Sequence, residues 1–170
     1  MTALAHATLP YRFALGHADV VFVTPHSAAD AGRIAAELAD LNAETRRPEA
    51  RVALLVDLVV FLGATSAEAM DRKSRLDEML GMPYRSDAAV FVGTPTELAD
   101  LMQGWVATGM DGFRLRPAGL PYDLRFICHE LVAELQRRSI FPTTYDSGTL
   151  RARFGLGRPA SRYARVGLEA

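Results

Sequence analysis

The 170 residues are enough for one domain with a real core, and 49% hydrophobic with 23% charged residues is an ordinary globular balance. The net charge of −1 gives no excess that would argue for a nucleic-acid or acidic-membrane partner. A single cysteine, Cys128, excludes an intramolecular disulfide framework and a multi-cysteine zinc site, and suits a reducing cytoplasm.

The amino-terminal stretch lacks the basic region and continuous apolar run of a signal peptide. The apolar run 52–62 is interrupted by Asp57 and falls well short of the ~20 residues that span a bilayer. The expectation is a soluble, cytoplasmic protein. The short β-branched run 18–23 predicts a strand, broken by Thr24, Pro25 and His26. Ser27 is placed to cap a helix, with Asp30 three residues on, and Ile34, Leu38 and Leu41 recur at helical spacing. Glu44, Arg46, Arg47 and Pro48 mark its end.

Residues 52–62 are apolar on both faces except for Asp57, as in a strand buried on both sides of a parallel sheet. Gly63 ends it. Thr65 and Glu68 predict a capping box for a helix to about Leu80, with Leu76, Met79 and Leu80 on its apolar side and Gly81 as its stop. Residues 88–92 read as a short strand. Thr94, Pro95 and Glu97 then start a helix sharply, with Leu98, Leu101, Met102 and Trp105 inward and Gly109 at its end. Residues 111–116 form the next strand. Pro121 precedes a helix with Leu124, Ile127, Leu131 and Leu135 inward, which places Cys128 in the core. Beyond Arg138 the chain turns polar and Arg-rich, predicting one domain over 1–141 and a loosely ordered tail over 142–170. Strands alternating with amphipathic helices imply right-handed crossovers, a parallel sheet and the α/β class.

Several segments, in order, carry a resemblance: HADVVFV from His17, GTPTELADLMQGW from Gly93, GMDGFRLRPAGLP from Gly109, ELQRRSIF from Glu134, and the tail residues Tyr145, Thr149, Leu150 and Arg151. The chain resembles the C-terminal part of the bacterial-luciferase-like flavin monooxygenases, and more narrowly their nitrilotriacetate and dibenzothiophene-sulfone monooxygenase branch. The resemblance implies a partial TIM (β/α)8 barrel of about the last three β/α units, with 18–23, 52–62 and 111–116 as its sixth, seventh and eighth strands. It further implies reduced FMN or a deazaflavin as cofactor, and oxidation of a small organic substrate with O2. Relatives carry a Gly-Ser-Ser-type turn for the flavin phosphate before the sixth strand. The corresponding residues 5–10 offer only the Thr8 hydroxyl, and Pro10 removes a donor.

Arg114 and Arg116 share one face of a strand at its carboxyl end, where barrel enzymes place chemistry, and two guanidiniums there suit a phosphate, sulfonate or carboxylate. The competing reading is a salt bridge to Asp57 or Asp111. His26 follows the first strand at the same end, as a proton donor or flavin neighbour or else as a surface histidine, with Thr24 beside it as a cofactor contact. Asp57 inside its apolar strand is either structurally paired or poised as an acid or base. Arg151, Arg153, Arg158, Arg162 and Arg165 read as a solvated basic tail or an anion contact. No metal site is expected. The alternative function is a non-catalytic truncated or partner-dependent barrel fragment. Its open sheet edges would be covered by a second copy or by a chain carrying the missing strands.

Overall fold

The computed structural model describes residues 2–44 and 52–157. The strands are β1 (Thr2–Leu4), β2 (Val20–Val23), β3 (Ala53–Leu62), β4 (Ala89–Gly93) and β5 (Gly112–Pro117). Helices α1 (Thr8–His17), α2 (Ala28–Ala43), α3 (Ser66–Leu80) and α4 (Pro95–Val106) follow the first four strands in turn. After β5 come α5 (Tyr122–Phe126), a π-helical turn (Ile127–Leu131), α6 (Val132–Arg137) and the short α7 (Leu150–Arg153). Every strand pairing is parallel. The α/β reading therefore holds, as an open parallel sheet with flanking helices. Strand β1 and helix α1 add a fourth β/α unit ahead of the three expected.

Strand β3 is the centre of the sheet. On one edge β2 pairs with its first half, Ala53 to Val56, and β4 with its second half, Leu58 to Leu62. Strand β5 runs along Leu55 to Val60 and overlaps both, so it occupies the opposite edge. The wall of the sheet is therefore β1-β2-β3-β5, and β4 is a short companion above β2.

Alternation along β3 decides what faces what. Val56 packs with Val21, Val23, Ile34, Leu38 and Trp105, and Leu58, Val60 and Leu62 pack with Leu98, Ala99, Leu131 and Leu135. These even-numbered positions lie under the helices. Asp57, Val59 and Phe61 point to the concave side, where Val59 and Phe61 pack with Ala88 and Tyr84. The apolar run of β3 is thus explained by burial on both faces.

The helix starts follow local chemistry. Ser27 and Thr65 each accept the amide three residues on, from Asp30 and Glu68. Thr94 and Glu97 form the full reciprocal capping box with Pro95 at the first helical position. Gly81 closes α3 at φ 77°, a left-handed conformation that costs glycine nothing.

Three expectations are corrected. Leu76, Met79 and Leu80 of α3 are exposed, and Ala69 is its buried residue, while Arg72, Lys73 and Asp77 on its other side reach Leu62, the Phe61 ring and Tyr84. Cys128 and Leu124 are also exposed, while Leu131 and Leu135 are buried. The π-helical turn Ile127–Leu131, which contains Cys128, inserts extra backbone there and turns Leu124 and Cys128 out of the expected face. In the tail, Thr149 caps the four-residue α7, and Arg151 reaches back to Asp19 at 2.8 Å. Arg46, Arg47, Pro48, Arg158, Arg162 and Arg165 lie outside the described residues.

Candidate functional site

The concave face of the sheet, at the carboxyl half of its strands, gathers the polar groups. Asp57 and Arg114 are direct register partners across β3 and β5. Asp57 is fully buried, and its two carboxylate oxygens accept from Nε and Nη2 of Arg114 in a bidentate fork. Arg114 also lies over the Phe22 ring, with its guanidinium carbon 4.2 Å from the centroid. Arg116, two residues further on the same face, stands 3.8 Å from Asp57 and donates to Asp87 at 2.9 Å. That hydrogen bond holds the Asp87 carboxyl at about 2, well below its ordinary 3.8. Both arginine side chains remain open to solvent, 42% for Arg114 and 37% for Arg116. The arrangement is a charge-balanced cluster with two guanidiniums still able to meet an anion entering the concave side.

Thr24 follows Val23 at the end of β2, and its hydroxyl shares a 2.8 Å hydrogen bond with Nδ1 of His6, just beyond β1. His6 escaped the sequence reading because the element that positions it, β1, is three residues long. His26 is exposed, and its backbone amide donates to Asp30 at 3.0 Å at the start of α2. The two arginines, Asp57 and Phe22 thus come together, Thr24 pairs with His6, and His26 stands in the loop beyond.

A second buried carboxylate, Asp123, was not singled out from sequence. It accepts from the amides of Leu62 at 2.8 Å and Gly119 at 2.7 Å, and from Nη2 of Arg72. The Arg72 guanidinium stacks 4.4 Å from the Tyr122 ring centroid, and the Tyr122 hydroxyl donates to Glu68 at 2.5 Å. This latch ties α3 and α5 to the carboxyl end of β3: backbone amides and Arg72 meet the Asp123 oxygens, while Arg72 Nε is buried without a hydrogen-bond partner among the described residues. The signal for it, an aspartate just after the β5 turn, is indistinguishable in sequence from an ordinary helix-start acid.

The turn between β1 and α1 offers little to a phosphate. Its N-cap, Ala7, offers no side-chain hydrogen bond, and Pro10 has no amide proton. The Thr8 hydroxyl donates to the Glu37 carboxylate at 2.7 Å. A carboxylate at that point opposes a second anion, so these residues do not fit a flavin phosphate. Among the described residues there is no cluster of metal-ligating side chains, and no helix is long and apolar enough to cross a membrane.

An open parallel sheet with helices on its convex side and charged groups on its concave side is part of a TIM-barrel wall. The chain's homologues are luciferase-like flavin monooxygenases, matched over a partial stretch. N-acetyl-S-(2-succino)cysteine monooxygenase of Bacillus subtilis is 46% identical over 77 residues, 45% of this chain and 18% of that protein. Nitrilotriacetate monooxygenase component A of Aminobacter aminovorans is 42% identical over 74 residues, 43% of this chain and 16% of that protein.

No family model matches the chain. Among solved structures, long-chain alkane monooxygenase (LadA) superposes with a TM-score of 0.73 at 20% identity, over 91% of this chain and 44% of that one. EDTA monooxygenase (EmoA) from Chelativorans sp. BNC1 gives 0.72 at 22% identity, over 91% of this chain and 50% of that one. The fold is also shared with a riboflavin lyase solved with modified FMN and with a coenzyme F420-dependent reductase of Methanopyrus kandleri. The chain thus spans half or less of the length of these proteins, and its parallel sheet is the corresponding portion of their barrels.

Proposed function

We propose that this chain acts as the C-terminal half of a luciferase-like flavin-dependent monooxygenase that oxidises a small organic substrate with reduced flavin and O2. The observation that carries the reading is the pair Arg114 and Arg116, held on the concave face and still solvent-accessible. The monooxygenase relatives support the reaction class. In this reading a bound FMN or deazaflavin supplies the oxygen chemistry, and the chain's own residues bind and orient. Arg114 is held rigid by Asp57, and Arg116 offers donors beside it, so the pair receives a carboxylate, sulfonate or phosphate group. Thr24 with His6 lines the neighbouring strand end as a cofactor contact, and His26 stands beyond it as a proton donor.

One observation favours a second reading. With Thr8 bonded to Glu37, the β1–α1 turn lacks a phosphate cradle, as a non-catalytic or partner-dependent barrel fragment would.

Titration of the purified chain with FMN, followed by flavin fluorescence and repeated with sulfate as competitor, separates the two. The monooxygenase reading expects saturable binding that sulfate displaces and that Arg116→Ala weakens by roughly tenfold, the loss of one charge-assisted contact. Unquenched flavin with both the wild-type chain and the variant leaves the non-catalytic reading standing.

A further inference from the structure

The two arginines of the concave face are held differently. Arg114 gives Nε and Nη2 to Asp57, which is fully buried and carried on the neighbouring strand β3. Arg116 gives Nη1 to Oδ1 of Asp87 through one hydrogen bond of 2.9 Å. Asp87 lies in the loop between α3 and β4, with 48% of its side chain exposed. A buried bidentate pair is costly to break, whereas a solvated single contact is weak. We propose that Asp87 is a displaceable internal ligand of Arg116, exchanged for the oxygen of a singly charged carboxylate or sulfonate that enters the site.

The surroundings of Asp87 suit such an exchange. Its Oδ1 accepts from Arg116 and also from the Ser86 hydroxyl at 2.9 Å. Ser86 is itself held, since its Oγ accepts the amide of the buried Ala88 at 3.2 Å. Upstream, the Tyr84 amide donates to Asp77 of α3 at 2.9 Å. The loop is thus pinned on both sides of Asp87, and rotation of that one side chain frees both donors. An incoming oxygen inherits the Ser86 hydroxyl and Nη1 of Arg116. Arg116 is not stranded meanwhile, because Oδ2 of Asp57 stands 3.8 Å from it.

Charge matches the newcomer to the site. With Asp87 in place, two guanidiniums face two carboxylates. Once Asp87 turns into water, Arg114, Arg116 and Asp57 leave one uncompensated positive charge, which a singly charged head group balances. Arg116, with help from Ser86, holds the Asp87 carboxyl at about 2, so it stays charged and competes with a ligand at neutral pH. This role for Asp87 rests on the reading of Arg114 and Arg116 as an anion receptor. It adds what occupies that receptor before a ligand does.

The full chain, titrated without flavin in low-salt buffer, is the test. The probes are acetate and methanesulfonate, followed by NMR shifts of the Ser86, Asp87 and Ala88 amides and the Arg116 side chain. Asp87→Asn keeps the shape and removes the charge. It should tighten probe binding by roughly fivefold, the release of one solvated ion pair. Arg116→Ala should abolish binding in the wild-type and Asp87→Asn chains alike, with circular dichroism verifying the fold of each variant. The tighter of the two probes names the head group. Equal affinities for the wild type and Asp87→Asn overturn the proposal while leaving the arginines as an anion receptor. Absence of binding to both chains removes the receptor, and the proposal with it.

Discussion

Arg114 and Asp57 face each other in register across β3 and β5, and a planar guanidinium meets a fully buried carboxylate through two parallel hydrogen bonds. The pair explains how a charged residue survives in the most apolar strand of the chain. It also sets the orientation of Arg114 toward the concave side.

Removing one partner should be costly. Arg114→Ala leaves the buried Asp57 carboxylate with Arg116 at 3.8 Å as its nearest cation, and a loss of about 3 kcal/mol is expected. That figure sits at the low end for buried pairs because the arginine is 42% exposed. Replacing both, with Asp57→Leu and Arg114→Met, should recover most of the loss. Urea unfolding measures both; a single-variant cost below about 0.5 kcal/mol would show the pair to be energetically idle.

Gly63 is required by space rather than by a special φ. A Cβ there would meet the Ala69 amide nitrogen at 2.8 Å and the Thr65 carbonyl oxygen at 2.9 Å, both backbone atoms at the start of α3. Gly63→Ala should destabilise by about 1–3 kcal/mol, the range for overpacking, and lower the thermal midpoint. An unchanged midpoint would mean that α3 docks on β3 less tightly than described.

The capping box at α4 gives a smaller, local effect. Thr94 accepts the Glu97 amide at 3.2 Å, and Glu97 accepts the Thr94 amide at 2.8 Å. Thr94→Ala should cost about 1 kcal/mol and speed amide exchange in the first turn of α4. Thr94→Ser should retain most of the cap. Equal losses in the two variants would point away from the hydroxyl.

Acid should loosen the concave face in a defined window. The Asp87 carboxyl is held at about 2 in the folded chain by its Arg116 partner, against an ordinary 3.8. Its folded value is depressed, so the stabilisation is full above the unfolded value and is lost as pH falls toward the folded one. Carboxyl chemical shifts should show Asp87 titrating near the lower value, and Arg116→Ala should return it toward the ordinary one. Native-state titration already at the ordinary value would remove Arg116 as its partner.

Much of the architecture was legible along the chain because it rests on contacts between near neighbours. Ser27, Thr65 and Thr94 announce three helix starts through bonds to amides three residues on. Gly81 announces a stop, and the two-sided apolar run of β3 announces a buried parallel strand. The strand β1 and helix α1 were not legible. Three residues carry too little pattern, and α1 starts at Ala7 without a capping side chain and contains Pro10.

By itself, then, the sequence determined the alternation of strands and helices, the placing of Arg114 and Arg116 on one face, and the likeness to the flavin monooxygenases. The tertiary structure decided which carboxylate takes Arg114, since Asp57 lies 57 residues away and only the β3–β5 register brings the two together. It decided equally that Asp111 accepts the Leu54 amide, that Thr8 is bonded to Glu37, and that the π-helical turn carries Cys128 to the surface. The physical reason is common to the three bonded pairs. Local propensity follows from adjacent residues, whereas the partner of a buried charge or hydroxyl follows from the register and rotation of elements distant in the chain.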